Sequence, residues 1–463
     1  MASTGPKTST RPEAVSPPRK EEQQQPAAAP SSPQLAVAFS QALDLAEGRQ
    51  AGHAARVCYI ALNLAHGVQL PATQQQAVFY GALLHDAGAA PASSETCRLL
   101  NMSEETLFGG RPGQSPHQLA LEISPQRGTD IIELLRSHLE LGAQVARELG
   151  FDEKIRQAIE CHHERWDGQG YPHALKGEAI PPAGRIVAAA DIIESLIAAE
   201  SNPLTARRNL VALLAEHSGR SIDPDLARYA RELVRSDTFW LGLHDDDLSG
   251  GLAAAIEPPK SDRKGDRLAT FAAVFANLAD SRGEHTTAHS TRTSEVAKSI
   301  AKMLGFEEER CRRVYIAALL HNVGLMGVPA RVIAKPDILS LNEMEAMRKH
   351  PTYSQQILEG LPGLEDIALW AGAHHERPDG KGYPELVDLD AIPIEARIIA
   401  LADTYVALTS ARPYRRALSE EDARTVLLGG AGTQLDKQLV LLFCANAMDA
   451  TSSRSAPRTA RKR

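Results

Sequence analysis

Apolar residues recur along this chain at intervals of three or four positions, the spacing of one face of an α-helix. Val145 and Leu149 follow this spacing. Ser340 lies three positions before Glu343, which is the pattern of a capping box at the start of a helix. No stretch alternates convincingly between apolar and polar residues as a half-buried strand does. The pattern predicts an all-α fold.

Two segments of the sequence occur twice in closely similar form. Residues 80–88 (YGALLHDAG) correspond to residues 316–324 (IAALLHNVG), and residues 162–172 (HHERWDGQGYP) correspond to residues 374–384 (HHERPDGKGYP). The spacing of histidines and aspartates around these segments also agrees between the two copies, apart from one interval. Self-similarity on this scale indicates an internal duplication.

The duplication predicts two tandem helical domains. His85 and His138 are 53 positions apart, whereas the matching His321 and His350 are 29 apart, so the first copy carries an insertion. The insertion contains a Gly- and Pro-rich stretch and is predicted to be a loop or lid. The predicted boundaries are a disordered N-terminal segment 1–33, a first domain 34–250 with the extra loop near 89–116, a linker 251–266, a second domain 267–450 and a basic tail 451–463.

The composition limits the classes of function that the chain can have. Of its 463 residues, 43% are hydrophobic and 23% are charged, and the net charge is only −8, so nucleic acid is not an expected partner. No run approaches the ~20 apolar residues of a membrane span, and the N-terminus lacks a signal-peptide core. The five cysteines are scattered and form no C-x-x-C pair, which is typical of reduced thiols. These features predict a cytoplasmic protein with no membrane partner.

Several histidines and aspartates lie at positions where the formation of a helix does not require a polar side chain. His85 and Asp86 end an apolar run, and a carboxylate at the edge of a buried helix needs a partner or a cation. The adjacent His162 and His163 are expected about 100° apart on one helix, close enough to serve two ions. With residues expected from other helices, the candidate ligands of the first copy are His53, His85, Asp86, His138, His162, His163 and Asp191. The candidate ligands of the second copy are His289, His321, His350, His374, His375 and Asp403.

Such a ligand set indicates a centre of two divalent metal ions, roughly 3.5–4 Å apart and bridged by one carboxylate. Mixed imidazole and carboxylate ligands favour Fe or Mn, and Zn or Ni are also compatible. A centre of this kind activates water near neutral pH and stabilises charge on phosphoryl oxygens, which predicts hydrolysis of a phosphate ester. A single histidine is usually structural, but a full set at matching spacings in two copies favours metal binding.

An Asp-Gly-x-Gly-Tyr-Pro segment follows the histidine pair in both copies. Clustered Gly and Pro residues form a rigid turn, and such a turn needs no function of its own. Because this turn follows the same histidine pair twice, we expect it to form a wall of the site.

Together these motifs resemble the HD-GYP subfamily of HD-domain phosphohydrolases. The resemblance covers roughly residues 34–240 and 267–448. It implies a helical fold, a centre of two or three metal ions and hydrolysis of cyclic di-GMP, with Asp86 and His85 as the catalytic residues of the first copy. The substrate-binding residues that it implies are Gly170, Tyr171, Pro172, Tyr383, Arg412, Tyr414 and Arg415.

The two copies depart from the family pattern in different ways. In the first copy a usual lysine is Ala89, and the family's Arg-Pro-Tyr-Arg segment falls on residues 200–203 (ESNP). The second copy keeps Arg-Pro-Tyr-Arg but has Asn322 in place of the bridging aspartate, and a neutral amide does not bridge two cations as a carboxylate does. A glutamate that helps to hold a third ion in some of the family is replaced by Arg49 in the first copy and His285 in the second.

The sequence therefore predicts a metal-dependent phosphohydrolase with two metal ions in its first domain. Cyclic di-GMP is the expected substrate, and the second domain is expected to be degenerate and either regulatory or ligand-binding. Two alternatives stay open: hydrolysis of another nucleotide or phosphate ester, and an inactive tandem protein that binds protein partners in signalling.

Overall fold

The computed structural model describes residues 29–89, 128–200, 202–259, 266–283, 288–411 and 416–454. Within these residues the secondary structure is helical, and the only strand-like pairings are the isolated bridges of Ser218 with Ile222 and of Ala431 with Leu435. The predicted all-α fold is confirmed. In the same part of the chain every helix is too short or too polar to traverse a lipid bilayer.

The helices of the first copy that the structure describes are α1 (Ser32–Ala46), α2 (His53–Gly67), α3 (Ala72–Leu84), α4 (Gly128–Glu148), α5 (Glu153–Glu160), α6 (Pro182–Ala198), α7 (Pro203–His217), α8 (Pro224–Leu233), α9 (Asp237–Leu243) and α10 (Leu248–Ala255). Helix α10 extends into the predicted linker, whose residues 260–265 lie outside the described part. The predicted loop near 89–116 also lies outside it, apart from Ala89.

The second copy comprises α11 (Arg267–Asp280), α12 (His289–Met303), α13 (Glu308–Leu320), a 3₁₀ turn (Val323–Gly327), α14 (Ala330–Ile333), α15 (Leu341–Met347), α16 (His350–Glu359), α17 (Glu365–Gly372), α18 (Ile394–Thr409), α19 (Glu420–Gly430) and α20 (Lys437–Arg454). The backbone of α20 continues into the predicted tail 451–463.

Local chemistry explains where several of these helices begin and end. The predicted capping box is present, because the Ser340 hydroxyl accepts from the Glu343 backbone while the Glu343 carboxylate accepts from the Ser340 backbone. Asp152 caps α5 by accepting from two backbone N–H groups. Gly150 has a φ of +73° and allows the chain to turn between α4 and α5, a conformation that disfavours residues with a Cβ.

The two copies share one continuous hydrophobic core. Helix α1 of the first copy packs against α11 of the second, and Phe39 stacks on Phe275 with ring centroids 4.4 Å apart. These two phenylalanines are 236 positions apart, the same offset that separates His53 from His289. Equivalent positions of the two copies therefore meet at this junction.

Two arginines of the second copy reinforce this junction by binding backbone carbonyls. Arg282 is buried and donates to the carbonyl of Ala46 at 3.1 Å and to that of Val328 at 2.9 Å. Arg267 donates to the Leu149 carbonyl at 2.7 Å. Hydrogen bonds from a charged group to buried carbonyls stabilise typically by ~1.5–3 kcal/mol each, so the junction is polar as well as apolar.

Candidate metal centre

The candidate ligands of the first copy come from five separate elements. They are His53 at the start of α2, His85 and Asp86 directly after α3, His138 on α4, His162 and His163 directly after α5, and Asp191 on α6. The expectation that His162 and His163 lie on one helix was wrong, because α5 ends at Glu160 and both histidines belong to the turn that follows it. The ring centroids of His162 and His163 lie 4.0 Å apart in this turn.

These side chains form two groups whose ligand atoms lie within 4.8 Å of one another. One group is Asp86, His138, His162 and His163, and the other is His53, His85 and Asp86. Asp86 belongs to both. Its Oδ1 lies 3.5 Å from Nε2 of His162, and its Oδ2 lies 2.9 Å from Nε2 of His85. Each carboxylate oxygen therefore faces one group, which is the arrangement that a bridging ligand requires.

Asp191 lies beside the second of these groups. Its Oδ1 lies 3.6 Å from Nε2 of His53 and 3.9 Å from Nε2 of His85. Within the described part of the chain, this oxygen and Nε2 of His53 are buried without a hydrogen-bond partner. Buried polar atoms without partners are costly, and a cation between them would satisfy both.

The backbone fixes which nitrogen of each ring faces the centre. Nδ1 of His85 lies 2.7 Å from the Ala82 carbonyl, and Nδ1 of His162 lies 2.6 Å from the Ile159 carbonyl. A carbonyl only accepts, so Nδ1 carries the hydrogen and Nε2 of the neutral ring offers a lone pair. Histidine ligands held in this way are oriented before an ion binds.

The electrostatics of the first copy favour a cation between its carboxylate and imidazole groups. Burial lowers the pKa of His85, but the nearby Asp86 carboxylate outweighs it and raises that pKa to about 10. Burial raises the pKa of Asp86, but His85 and His162 outweigh it and hold the pKa well below its usual range. The site thus retains positive charge beside Asp86, and a divalent ion would compete with a proton for that position.

Gly88 lets helix α4 bring His138 close to the residues after α3. A Cβ at this position would lie 2.0 Å from the His138 carbonyl oxygen and 2.6 Å from the Gly142 backbone nitrogen. The second copy repeats the contact, since a Cβ at Gly324 would lie 2.0 Å from the His350 carbonyl oxygen. The glycine that lies two positions after each His-Asp or His-Asn pair is therefore needed for the close packing of the helix that carries His138 or His350.

Glu194 supports His53 from behind the centre. Its carboxylate accepts from Nδ1 of His53 at 2.7 Å and from Arg56 at 2.8 Å. Burial raises the pKa of Glu194, but His53 and Arg56 outweigh it and lower the pKa to about 2. A carboxylate behind a metal-ligating histidine orients the ring and increases its basicity. The matching position in the second copy is Val406, which offers no carboxylate.

The Gly-Tyr-Pro turn forms a wall of the centre, as expected. The Tyr171 ring lies on His163 with centroids 4.9 Å apart. Glu164 holds the turn by accepting from the backbone N–H groups of His173 and Leu175 at 2.7 and 2.9 Å. A Cβ at Gly170 would lie 2.4 Å from the backbone nitrogen of Arg165, so the turn rests directly on the histidine segment.

The second copy also holds two groups of candidate ligands, but they share no residue. One is His350, His374 and His375, and the other is His289, His321 and Asp403. Asn322 stands at the position of Asp86, and its neutral amide is not a bridging carboxylate. Among the residues that the structure describes, the second copy therefore offers no carboxylate between its two groups.

Burial disfavours the charged form of several histidines of the second copy. Burial, ahead of any charge interaction, lowers the pKa of His321 and of His350 to about 4 each and that of His375 to about 3. A cavity of about 500 Å³ opens beside them, lined by His374, His375, Tyr383 and Asp403 among others. Of the predicted substrate-binding residues, Arg412, Tyr414 and Arg415 lie outside the described part of the chain.

The donor set of the first copy fits a pair of divalent metal ions. It combines imidazole nitrogens with two carboxylates, and the ligand atoms form two groups that share Asp86. Cys161 lies beside this set but is buried, and burial raises the pKa of its thiol to about 12, so it is a poor thiolate donor.

Comparison with known proteins defines the class of this chain. The family model described as HD domain matches residues 113–226 and 273–439, which is more than half of the chain. The chain belongs to the HD-domain family. With its two His-His-Glu and Gly-Tyr-Pro segments it is a tandem HD-GYP protein, and it is a metal-dependent phosphohydrolase.

Individual relatives are phosphodiesterases of cyclic dinucleotides. The 3'3'-cGAMP-specific phosphodiesterase 3 of Vibrio cholerae is 30% identical over 433 residues, which cover 88% of this chain and 92% of the relative. The cyclic di-GMP phosphodiesterase response regulator RpfG of Xanthomonas campestris pv. campestris is 40% identical over 168 residues, 36% of this chain and 44% of the relative. The crystal structure of the cyclic GMP-AMP-specific phosphodiesterase V-cGAP3 of V. cholerae covers 93% of this chain and 99% of its own, with a TM-score of 0.64 and 28% identity.

Sequence reasoning named the candidate ligands but missed the residues that contact them from behind. Glu194 lies three positions after Asp191, so helical spacing was the available signal for a carboxylate on the same face of α6. Glu47 and Arg49 give no such signal, because they lie in the turn between α1 and α2, where side-chain direction depends on the tertiary structure.

Proposed function

We propose that the first copy hydrolyses a 3'3'-linked cyclic dinucleotide at a centre of two divalent metal ions, and that the second copy binds ligand without hydrolysing it. The observation that supports this division is the position of Asp86, whose two oxygens face two ligand groups, against Asn322 in the second copy. When bound, two such ions activate water and neutralise charge that develops on phosphoryl oxygens.

The chain's own residues would position the substrate and the ions. Asp86 would bridge the ions, His53, His85 and Asp191 would hold one of them, and His138, His162 and His163 the other. Fe or Mn suits this mixture of imidazole and carboxylate, with Zn or Ni also compatible. Tyr171 lies on His163 at the wall of the centre, where an aromatic ring offers a surface for a base or ribose.

The relatives support 3'3'-cGAMP as the first substrate to test. The cGAMP-specific relative matches this chain along nearly its whole length, whereas RpfG, named for cyclic di-GMP, matches about one copy. The sequence alone predicted cyclic di-GMP, and that prediction remains the alternative. The lack of Arg-Pro-Tyr-Arg at residues 200–203 of the first copy is a further reason to compare substrates rather than to assume one.

A pair of matched variants tests the division between the copies. Asp86→Asn removes the bridging carboxylate, and Asn322→Asp supplies one to the second copy. We expect Asp86→Asn to lose metal and to hydrolyse 3'3'-cGAMP at least about ten to a hundred times more slowly. This is the loss typical when a residue that only supports a metal ligand is replaced, and Asp86 is itself a candidate ligand. Asn322→Asp is expected to leave the activity of the first copy intact.

The measurement is metal content by mass spectrometry together with product formation from 3'3'-cGAMP and cyclic di-GMP, with Mn or Fe added anaerobically. Full activity of Asp86→Asn, or loss of activity only when residues of the second copy are changed, would refute the assignment. Absence of turnover with every nucleotide, despite bound metal, would favour a ligand-binding signalling protein instead.

A further inference from the structure

The cavity of about 500 Å³ in the second copy is lined by more than the candidate metal ligands. Helix α18 contributes Thr404, Ala407 and Leu408 to its wall, and the segment between α19 and α20 contributes Gln434 and Leu435. The volume lies within the ~300–1,000 Å³ typical of pockets for small ligands. Apolar side chains with a few hydrogen-bonding groups among them are also the usual lining of such a pocket, so the cavity is suited to an organic ligand.

The amide of Gln434 is available to a ligand in this cavity. The backbone N–H of Gln434 donates to the Gly430 carbonyl at 3.0 Å, which fixes the segment that carries the side chain. The side chain itself is exposed, and its amide takes part in none of the hydrogen bonds that the structure describes. A glutamine amide offers one acceptor oxygen and two N–H donors, so all of these groups can bind a ligand.

The charged groups of the same lining are engaged within the protein. Arg377 donates to both carboxylate oxygens of Asp379 at 2.9 and 2.6 Å. Glu376 accepts from two backbone N–H groups at 2.6 and 3.3 Å, and Oδ1 of Asp403 lies 2.9 Å from Nε2 of His289. Within the described part of the lining, Gln434 is therefore the polar side chain whose hydrogen-bonding groups are left for recognition of a neutral part of a ligand.

The first copy has a different group at the position of Gln434. Gln434 and Ser221 each directly precede the second residue of the isolated bridge of their copy, so the two positions are equivalent. Ser221 is buried, and its hydroxyl lies 2.5 Å from Nδ1 of His217. The second copy thus presents a long amide where the first copy presents a short hydroxyl that already has a partner. The two copies therefore differ in what they can recognise at this wall.

A glutamine amide matches the hydrogen-bonding edge of adenine. Its oxygen accepts from the exocyclic amino group, and its N–H donates to the neighbouring ring nitrogen, which is the usual paired contact of glutamine with this base. The apolar side chains of Ala407, Leu408 and Leu435 would contact the faces of the ring. Guanine offers two adjacent N–H donors on its pairing edge, and a single amide oxygen does not satisfy both.

We propose that the second-copy cavity binds a cyclic dinucleotide through an adenine base, and that Gln434 selects adenine over guanine there. This inference rests on the proposed function for ligand binding by the second copy, and it adds the base and the residue that reads it. It does not depend on hydrolysis by the first copy.

The test compares ligands that differ only in their bases. Gln434→Ala removes the amide, and Gln434→Glu keeps its size but replaces the donor by an acceptor. Gln438→Glu is the matched control, because Gln438 is exposed four positions later and lies outside the described lining. Ser221→Ala changes the equivalent position of the first copy. Every protein is the full chain with Asp86→Asn added to slow hydrolysis, and calorimetry in the presence of Mn gives the Kd of cyclic di-AMP, 3'3'-cGAMP and cyclic di-GMP.

We expect the parent protein with Gln434 to bind cyclic di-AMP and 3'3'-cGAMP more tightly than cyclic di-GMP. Gln434→Ala should reduce this preference by about ten- to a hundredfold, the discrimination of one paired base contact. Gln434→Glu should reverse the preference, because a carboxylate accepts from both N–H donors of guanine. Gln438→Glu and Ser221→Ala should match the parent.

An unchanged base preference in both Gln434 variants would overturn the inference, and so would a preference that changes with Ser221→Ala instead. The two proposals can fail separately. If the preference for adenine depends on Gln434 but the chain with Asp86 hydrolyses no cyclic dinucleotide, this inference holds and the proposed hydrolysis fails. If that chain hydrolyses 3'3'-cGAMP while the Gln434 variants bind every ligand as the parent does, the proposed hydrolysis holds and this inference fails.

Discussion

Replacement of Gly88 by alanine is the sharpest test of how the fold positions the metal centre. The new Cβ would lie 2.0 Å from the carbonyl oxygen of His138 and 2.6 Å from the nitrogen of Gly142. Both atoms belong to the backbone of α4, so no side-chain rotation relieves the contact. An ordinary contact begins near 3.4 Å, so α4 must retreat by about 1.4 Å. Overpacking of this kind costs typically ~1–3 kcal/mol of stability.

The displacement exceeds what a metal ligand tolerates. Metal–ligand distances vary by only about 0.2 Å from their preferred values, so His138 would leave its group when α4 moves. We therefore expect Gly88→Ala to remain folded, to lose metal from the group that contains His138, and to lose turnover by about a hundredfold or more.

Two glycines of the same chain provide matched controls. Gly324→Ala creates the same overpacking in the second copy, where the Cβ would lie 2.0 Å from the His350 carbonyl and 2.5 Å from the Ser354 nitrogen. Gly251→Ala lies on α10 with nothing within 4 Å of its Cβ, so it should be neutral or stabilising by up to about 1 kcal/mol.

The measurements are denaturant unfolding, metal content and initial rates with 3'3'-cGAMP. Gly88→Ala and Gly324→Ala should lose similar stability, but only Gly88→Ala should lose turnover. The reasoning is refuted if Gly88→Ala keeps its full metal content and rate, or if Gly324→Ala slows hydrolysis as much as Gly88→Ala does.

Three further predictions follow from the same structure. Glu194→Gln weakens the hydrogen bond to His53 and should lower metal affinity by about ten- to a hundredfold, measured by competition with a chelator; an unchanged affinity would contradict a supporting role for Glu194. Phe39→Ala removes a fully buried ring from the junction of the two copies and should reduce the free energy of unfolding by ~3–5 kcal/mol; a loss below about 1 kcal/mol would contradict the shared core. Removal of metal by chelation should abolish hydrolysis, and Mn or Fe should restore it; full activity of the metal-free protein, checked by mass spectrometry, would exclude the proposed chemistry.

The sequence by itself determined the helical fold class, the duplication and the candidate ligands. Helical periodicity is local, so the spacing of Val145 and Leu149 or the capping box at Ser340 can be read without knowledge of distant contacts. The duplication repeated most of the motifs, and the repeated spacing singled out His53 and His85 as candidate ligands rather than structural histidines. The difference between Asp86 and Asn322 was likewise visible as a change of residue at matched positions.

Only the tertiary structure decided how these residues meet. The direction of each oxygen of Asp86, the approach of α4 over Gly88 and the carboxylate of Glu194 behind His53 all depend on how separate helices pack. The prediction that His162 and His163 lie on one helix was wrong, because α5 ends at Glu160 and both histidines belong to the turn that follows it. The position of Arg49 and the stacking of Phe39 on Phe275 involve a turn and a contact between distant segments. Distances between side chains of different elements are set by packing, which local sequence patterns do not encode.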